Sequence, residues 1–411
     1  MTTELRVLRP DEWDPWFSNL ELAFGGIQEA EEKRSLYRKH TEFERSLAVW
    51  DGTECVGTAG AFSFQVTVPG GQTVPMAGVT MVSVAATHRR RGILTSMMRR
   101  LLDDVRERGE SVAILLASEP DIYGRFGYAT ATWQISAAID TVRVRLTVPE
   151  GTDAVRVRRV SPAEAIEECE AVYARLVPDR PGTISRVPGW ERFFTVDSAA
   201  LQAGASPLQC VLAEVDGETV GYARYRNRPS WDDSGPTGTV ELQDIAALTP
   251  VAYAALWRFL CSIDLTTTVK IGSRPVDDAW QQMVSDVRRC QVHTADGLHA
   301  RLVDVGAALA ARSYRVPVDV VFDVTDDFCP WNTGRWRLTA DAKGAACERT
   351  EDPADLALTV RELGAAYLGG VTLTTLAAAG RVRELVPGSG ALAEASLAFG
   401  GDAAPWVPHG F

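Results

Sequence analysis

The sequence predicts a mixed α/β and α+β chain in three parts: an α/β unit over 1–150, a second copy of that unit over 151–295, and an α+β domain over 296–411. Three observations predict it. From Gly78 to Tyr128 the chain reads as strand, basic glycine turn, helix, buried strand and tyrosine-bearing loop. A hairpin signature occurs twice, as Asp51-Gly52 with Val56-Gly57 and as Asp216-Gly217 with Val220-Gly221. After His293-Thr-Ala-Asp296-Gly297 the hydrophobic pattern changes to short strands and closely spaced helices.

In the first part, Pro10 to Phe24 sets Trp13, Trp16, Phe17, Leu20 and Phe24 at helical spacing, and Gly25-Gly26 ends the helix. Aromatic residues at this spacing read as core before they read as the wall of a cleft. Ser46–Trp50 and Val56–Phe62 flank Asp51-Gly52 as hairpin arms, Phe64–Val68 is a further extended run, and Gly78–Ala85 is the central strand. The helix after Arg91 carries Ile93, Leu94, Met97, Met98, Leu101, Leu102 and Val105 on one face. It turns Arg99, Arg100 and Arg106 to solvent and stops at Gly109. Val112–Ala117 is an uninterrupted apolar run, as in a strand covered on both faces.

The second copy opens on the alternating run Val155–Val160. Ser161-Pro162-Ala163-Glu164 then offers an N-cap, a first-turn proline and a capping-box acid to a helix through Ile166, Val172, Tyr173 and Leu176. Cys210–Val215 and Val220–Tyr225 repeat the hairpin, Val240–Ala246 stands for the central strand and Thr249–Leu260 for the helix. Where the first copy has Arg-Arg-Arg-Gly, this one has Thr249-Pro250-Val251-Ala252, without glycine or cation, so it is expected to keep the fold and lack the site.

In the third part Val303–Ala311 reads as a helix, and Val318–Val324, Arg335–Thr339 and Leu356–Thr359 as strands. Val360–Leu368, Thr372–Val382 and Ala391–Phe399 read as helices. The tail Ala404–Phe411 is apolar and twice interrupted by proline, unlike the polar composition of a loose end.

Composition narrows the function. Asp and Glu outnumber Lys and Arg by 54 to 42, a net charge of -12, which argues against nucleic acid and leaves solubility or attraction of cationic substrates such as amines. No stretch approaches the roughly 20 apolar residues of a membrane span. Met1 to Pro10 has no signal-peptide pattern, and a cytoplasmic protein is expected. The seven cysteines never fall in C-x-x-C spacing and the five histidines form no H-x-x-x-H pair, which argues against a disulfide framework and a metal site.

The candidate site is the run Gly78–Tyr128. Arg89-Arg90-Arg91-Gly92 leads straight into a helix, whose first turn offers unpaired N–H groups and partial positive charge. Such an end, with a glycine for close approach and arginines for counter-charge, suits a pyrophosphate. Val82-Ser83-Val84 lies at a strand end where an extended ligand arm could pair as another strand. Ser118, Glu119 and Tyr123 follow the next strand, and neighbouring parallel strands open on the same side.

Val82–Val84 followed by Arg89-Arg-Arg91-Gly92-Ile93-Leu94 resembles the acetyl-coenzyme A signature of GCN5-related N-acetyltransferases, with Leu94 at the position of the second Gly/Ala. Ala85–Gly92 together with Ser118-Glu119…Ile-Tyr123-Gly-Arg-Phe-Gly-Tyr128 is similar to the Eis (enhanced intracellular survival) family of actinobacterial acetyltransferases. The resemblance covers the whole chain and implies a catalytic acetyltransferase domain, a degenerate second one and a sterol-carrier-like third domain. It implies that Val82, Ser83 and Val84 pair with the pantetheine arm of acetyl-coenzyme A. Arg90, Arg91, Gly92, Ile93, Leu94 and Thr95 would hold the pyrophosphate, and Ser118 and Glu119 line the cleft. Tyr123 is implied as general acid, with Tyr128 its competitor, and the terminal carboxylate of Phe411 as general base. It further implies a homohexamer and a small-molecule or peptide amine as substrate; no metal is expected from the cysteine and histidine spacing. Aminoglycoside-acetylating members carry an acid before the terminal phenylalanine where this chain has Gly410, so the acceptor stays open. Two other readings stand beside this one: an acyl-coenzyme A or lipid-binding protein without transferase activity, and a transferase using a longer acyl donor.

Overall fold

Strands β1 (Glu4–Val7), β2 (Leu47–Asp51), β3 (Glu54–Thr67), β4 (Thr73–Val84), β5 (Val112–Leu116) and β6 (Ala129–Thr130) belong to one eight-stranded sheet in the computed structural model, which describes residues 3–341 and 343–411. Helix α1 (Trp13–Ala23) precedes α2 (Glu31–His40); α3 (Ile93–Glu107) follows β4, and the short α4 (Pro120–Tyr123) follows β5. The two extended runs expected around Phe62 are one strand, β3, which pairs antiparallel with both β2 and β4.

The amphipathic stripe of α3 is buried as its spacing requires: Ile93, Met97, Met98, Leu101, Leu102 and Val105 all face the sheet. On α1, Trp13, Trp16 and Phe17 are core, and their rings pack with the β2–β3 hairpin. Phe24, read with them as core, is 60% exposed because the helix has ended at Ala23.

The sheet is completed by a strand from far along the chain. Leu298–Leu302 inserts between β5 and β6, antiparallel to both, with Leu298 opposite Leu116 and His299 opposite Thr130. Conversely, β7 (Trp133–Asp140) belongs to a different, seven-stranded sheet, where it pairs antiparallel with Thr266–Pro275. The chain therefore divides into Met1–Thr132 with Arg180–Ser185 and Asp296–Phe411 as one unit, and Trp133–Asp179 with Arg186–Ala295 as the other. This division differs from the boundaries read at 150 and 295, because ladder hydrogen bonds assign the two exchanged strands and nothing local in the sequence does.

The second unit contains Gln209–Val215 and Glu218–Arg228 as the repeated hairpin, and Gly238–Ala247 parallel to Thr266–Pro275 as its centre. Its helix Pro250–Cys261 starts with the Thr249 hydroxyl accepting from the Ala252 N–H at 3.2 Å. One local expectation fails. Ser161–Glu164 forms a separate turn, with the Ala165 N–H donating to the Ser161 carbonyl at 3.0 Å, and the helix starts at Ile166.

Within the first unit, residues after 304 add a five-stranded sheet in the order Gly344–Arg349, Gly334–Asp341, Val318–Thr325, Leu356–Thr359, Arg383–Glu384. Buried Arg301 ties this part to the tyrosine loop. It donates to the Phe126 carbonyl at 2.9 Å and to both carboxylate oxygens of Asp326, at 2.8 and 3.1 Å.

Candidate active site

Strands β4 and β5 pair in parallel only over Met76–Gly78 and Val112–Ile114. Beyond Gly78 they separate. A β-bulge contributes: the β3–β4 register slips between Thr58 and Gly60, and Met81 takes φ 53°. The Thr58 hydroxyl fixes the bulge by donating to the Met81 carbonyl at 2.6 Å and lies 2.7 Å from the Ser83 hydroxyl, which accepts from the Asn19 amide at 3.3 Å.

Past the bulge, the Ala85 N–H is bonded to the Val56 carbonyl of β3 at 2.9 Å. Consecutive strand N–H groups point to opposite sides, so the Val84 N–H points away from β3 into the gap.

The turn into α3 is built for an anion. Arg90 has φ 63° and Gly92 φ 83°, two left-handed residues that curl the backbone around the helix end. Gly92 sits at the N-cap and has no side chain to cap with. The first intrahelical bond runs from the Ser96 N–H to the Gly92 carbonyl at 2.9 Å, so the N–H groups of Ile93, Leu94 and Thr95 have no helical partner. Arg89, Arg90 and Arg91 are exposed beside them and make no ion pair among the described residues. The turn is anchored through His88, whose Nε2 lies 3.1 Å from Asp51 Oδ2 and whose Nδ1 lies 2.8 Å from the Thr87 hydroxyl.

These features share a cleft of about 560 Å³. Val82, Ser83, Val84, Arg90, Gly92, Ile93, Leu94, Thr95, Ser118, Glu119 and Tyr123 line it, as read from the sequence; Arg91 does not. Ala23, Phe24, His88, Arg89, Ile122 and Arg125 also line it. Arg89 carries a signal, since it belongs to the same arginine run, and of the aromatic residues weighed as core or cleft wall Phe24 is on the wall while Trp13 and Trp16 are core; Arg125 reaches the cleft only through the tertiary fold.

The two tyrosines separate cleanly. Tyr123 is half-buried on the cleft wall; burial, and after it the negative charge of Glu119, holds its phenol above the ordinary range. Tyr128 is 1% exposed, and burial pushes its phenol far higher. Its hydroxyl is buried and has no hydrogen-bond partner among the described residues.

Phe411 lies beside β4. The Thr80 hydroxyl donates to its oxygen at 3.1 Å, and its ring meets the Phe64 ring edge-on with centroids 5.1 Å apart. Among the described residues there is no cluster of three or more His, Cys, Asp or Glu that could hold a metal, and no helix long and apolar enough to cross a membrane.

The free helix end, the exposed arginines and the outward Val84 N–H fit an extended ligand that carries a pyrophosphate at one end and pairs with β4 along its length. Comparison with known proteins identifies the family. Acetyltransferase (GNAT) domain models match residues 4–131 and 182–302, and a sterol carrier protein domain model matches residues 305–408. An uncharacterized N-acetyltransferase of Streptomyces avermitilis is 64% identical over 411 residues, covering 100% of both chains. The N-acetyltransferase Eis of Mycobacterium tuberculosis is 32% identical over 395 residues, 93% of this chain and 94% of that one. The crystal structure of Eis1 from Mycobacterium abscessus matches with a TM-score of 0.84 and 33% identity over 100% of each chain.

Proposed function

The chain belongs to the Eis family of GCN5-related N-acetyltransferases, and from that premise we propose that it transfers acetyl from acetyl-coenzyme A to a primary amine, with Tyr123 as general acid and the Phe411 carboxylate as general base. The observation that carries this reading is the uncapped N-terminus of α3 opening on the same cleft as Tyr123.

Acetyl-coenzyme A supplies the activated thioester. The first-turn N–H groups of α3 and the flanking arginines hold its pyrophosphate, and the Val84 N–H donates to the thioester carbonyl as negative charge grows there. An ammonium must lose a proton before its nitrogen can attack. The Phe411 carboxylate takes that proton, directly or through water. A free α-carboxyl has a reference pKa of roughly 3.5, so it is ionised at neutral pH and free to accept a proton. The departing thiolate takes the proton of Tyr123, whose phenol is neutral at neutral pH.

The acceptor class we propose is a primary amine of an aminoglycoside, of lysine or of a polyamine; cytoplasmic residence and a homohexamer complete the proposal. The deciding experiment pairs Tyr123→Ala with a variant carrying several residues appended after Phe411. Thiol release from acetyl-coenzyme A is followed with a panel of amines, and donor binding by calorimetry. Loss of turnover in both variants with donor binding intact is expected. Full turnover in the extended variant would remove Phe411 as base.

A further inference from the structure

We propose that Thr80 is the positioning residue of the terminal carboxylate, within a seat that Gly78 and Phe64 shape for the Phe411 ring. This rests on the reading of Phe411 as the base and deepens it.

Thr80 stands two residues past Gly78, the last residue of β4 that pairs with β5. It is half-buried where the strands have parted, and its hydroxyl donates to the Phe411 oxygen at 3.1 Å. A hydroxyl donating to a carboxylate makes a charge-assisted bond with a defined direction, which a purely apolar seat cannot supply.

The ring is held separately. It lies edge-on to Phe64 at 5.1 Å and 69°. A Cβ at Gly78 would fall 2.5 Å from the Phe64 ring and 3.2 Å from the Phe411 ring, so only glycine leaves room for both. Next to it in the tail, a Cβ on Gly410 would meet Leu116 of β5 at 3.7 Å, an ordinary contact. The tail thus passes β5 and delivers its last residue to β4.

Ring and carboxylate on one residue need two fixings. The edge-on ring contact sets where the residue sits, and the Thr80 hydroxyl sets which way its oxygen points. Ordering a chain end costs conformational entropy, and a base that samples many orientations abstracts a proton inefficiently. Thr80 therefore acts on the base and not on the donor, and its loss separates kcat from the donor KM.

The test uses the full-length enzyme with acetyl-coenzyme A and an accepted amine. Thr80→Val removes the hydroxyl and keeps the shape, and Thr80→Ser keeps the hydroxyl. Thr80→Val is expected to lower kcat about 30-fold, the size of a lost hydrogen bond to a charged group, with the KM for acetyl-coenzyme A within about twofold. Thr80→Ser is expected to stay within about threefold of the parent, since the charged bond survives. Should Thr80→Val fail to fold, Thr80→Ala is read against Thr80→Ser in the same way. Deletion of Phe411 is run alongside. Loss of turnover on deletion with an unchanged kcat in Thr80→Val overturns the role of Thr80 alone. Equal damage in Thr80→Ser and Thr80→Val overturns it too, because only the backbone seat would then matter. Turnover that survives the deletion overturns both the base and its positioning.

Discussion

The rings of Tyr123 and Tyr128 meet edge to face with centroids 6.1 Å apart, and only Tyr123 reaches the cleft. The pair is a built-in control. Tyr123→Phe is expected to lower kcat by about a hundredfold or more, as loss of a general acid does, with donor affinity kept. Tyr128→Phe removes a buried hydroxyl that has no hydrogen-bond partner among the described residues and should leave kcat unchanged and stability equal or slightly higher. Steady-state kinetics and thermal unfolding of the two variants check this.

The pH profile follows from the direction of the Tyr123 shift. The neutral phenol is the donating form, and its raised value keeps it neutral until pH climbs through that value. Activity is therefore expected to rise from neutral pH as the acceptor amine loses its proton, with no alkaline fall before about pH 10. Glu119→Gln removes the negative charge that helps raise the phenol, so the fall should move to lower pH. A profile that does not move would assign the alkaline limb to another group.

Arg90 offers an exposed cation at the mouth of α3. Arg90→Ala is expected to raise the KM for acetyl-coenzyme A between about threefold and tenfold at low salt, and less at high salt, where exposed charges are screened. Titration of donor binding at two ionic strengths measures it.

Arg301 and Asp326 are a buried ion pair, with side chains 0% and 1% exposed. Asp326→Asn or Arg301→Met leaves one member without its counter-charge, and a cost of about 3–5 kcal/mol in unfolding free energy is expected. Because Arg301 also holds the Phe126 carbonyl, Arg301→Met should slacken the loop behind Tyr123, visible as faster amide exchange over 124–128.

What the sequence made legible was periodic or chemical. The helix after Arg91 declared itself by a stripe at a spacing of three and four, and β5 by an unbroken apolar run. The glycine at the head of α3 pointed to an open helix end, and the contrast with Thr249 in the second copy was visible in four residues. The structure adds why that contrast matters: Thr249 caps its own helix, while Gly92 leaves the N–H groups open.

What stayed hidden depends on pairing across long separations. Leu298–Leu302 contains His299 and Arg301, and polar residues in a short run do not read as a strand covered on both faces. Both are buried all the same, because Asp296 takes His299 Nε2 at 2.8 Å and Asp326 takes the guanidinium of Arg301. Phe24 shares the spacing of the core aromatic residues because helical periodicity continues one residue past the end of α1, yet it lies exposed. Thr80 carried no local signal at all, since its partner is 331 residues away.

The exchanged strands impose a schedule on synthesis. On the ribosome, β5 emerges long before Leu298–Leu302, its neighbour in the finished sheet, and every residue of the other unit must be made in between. Until then β5 presents an unpaired edge of the kind that recruits other chains. A fragment ending near residue 295 should accordingly aggregate rather than work as a minimal enzyme.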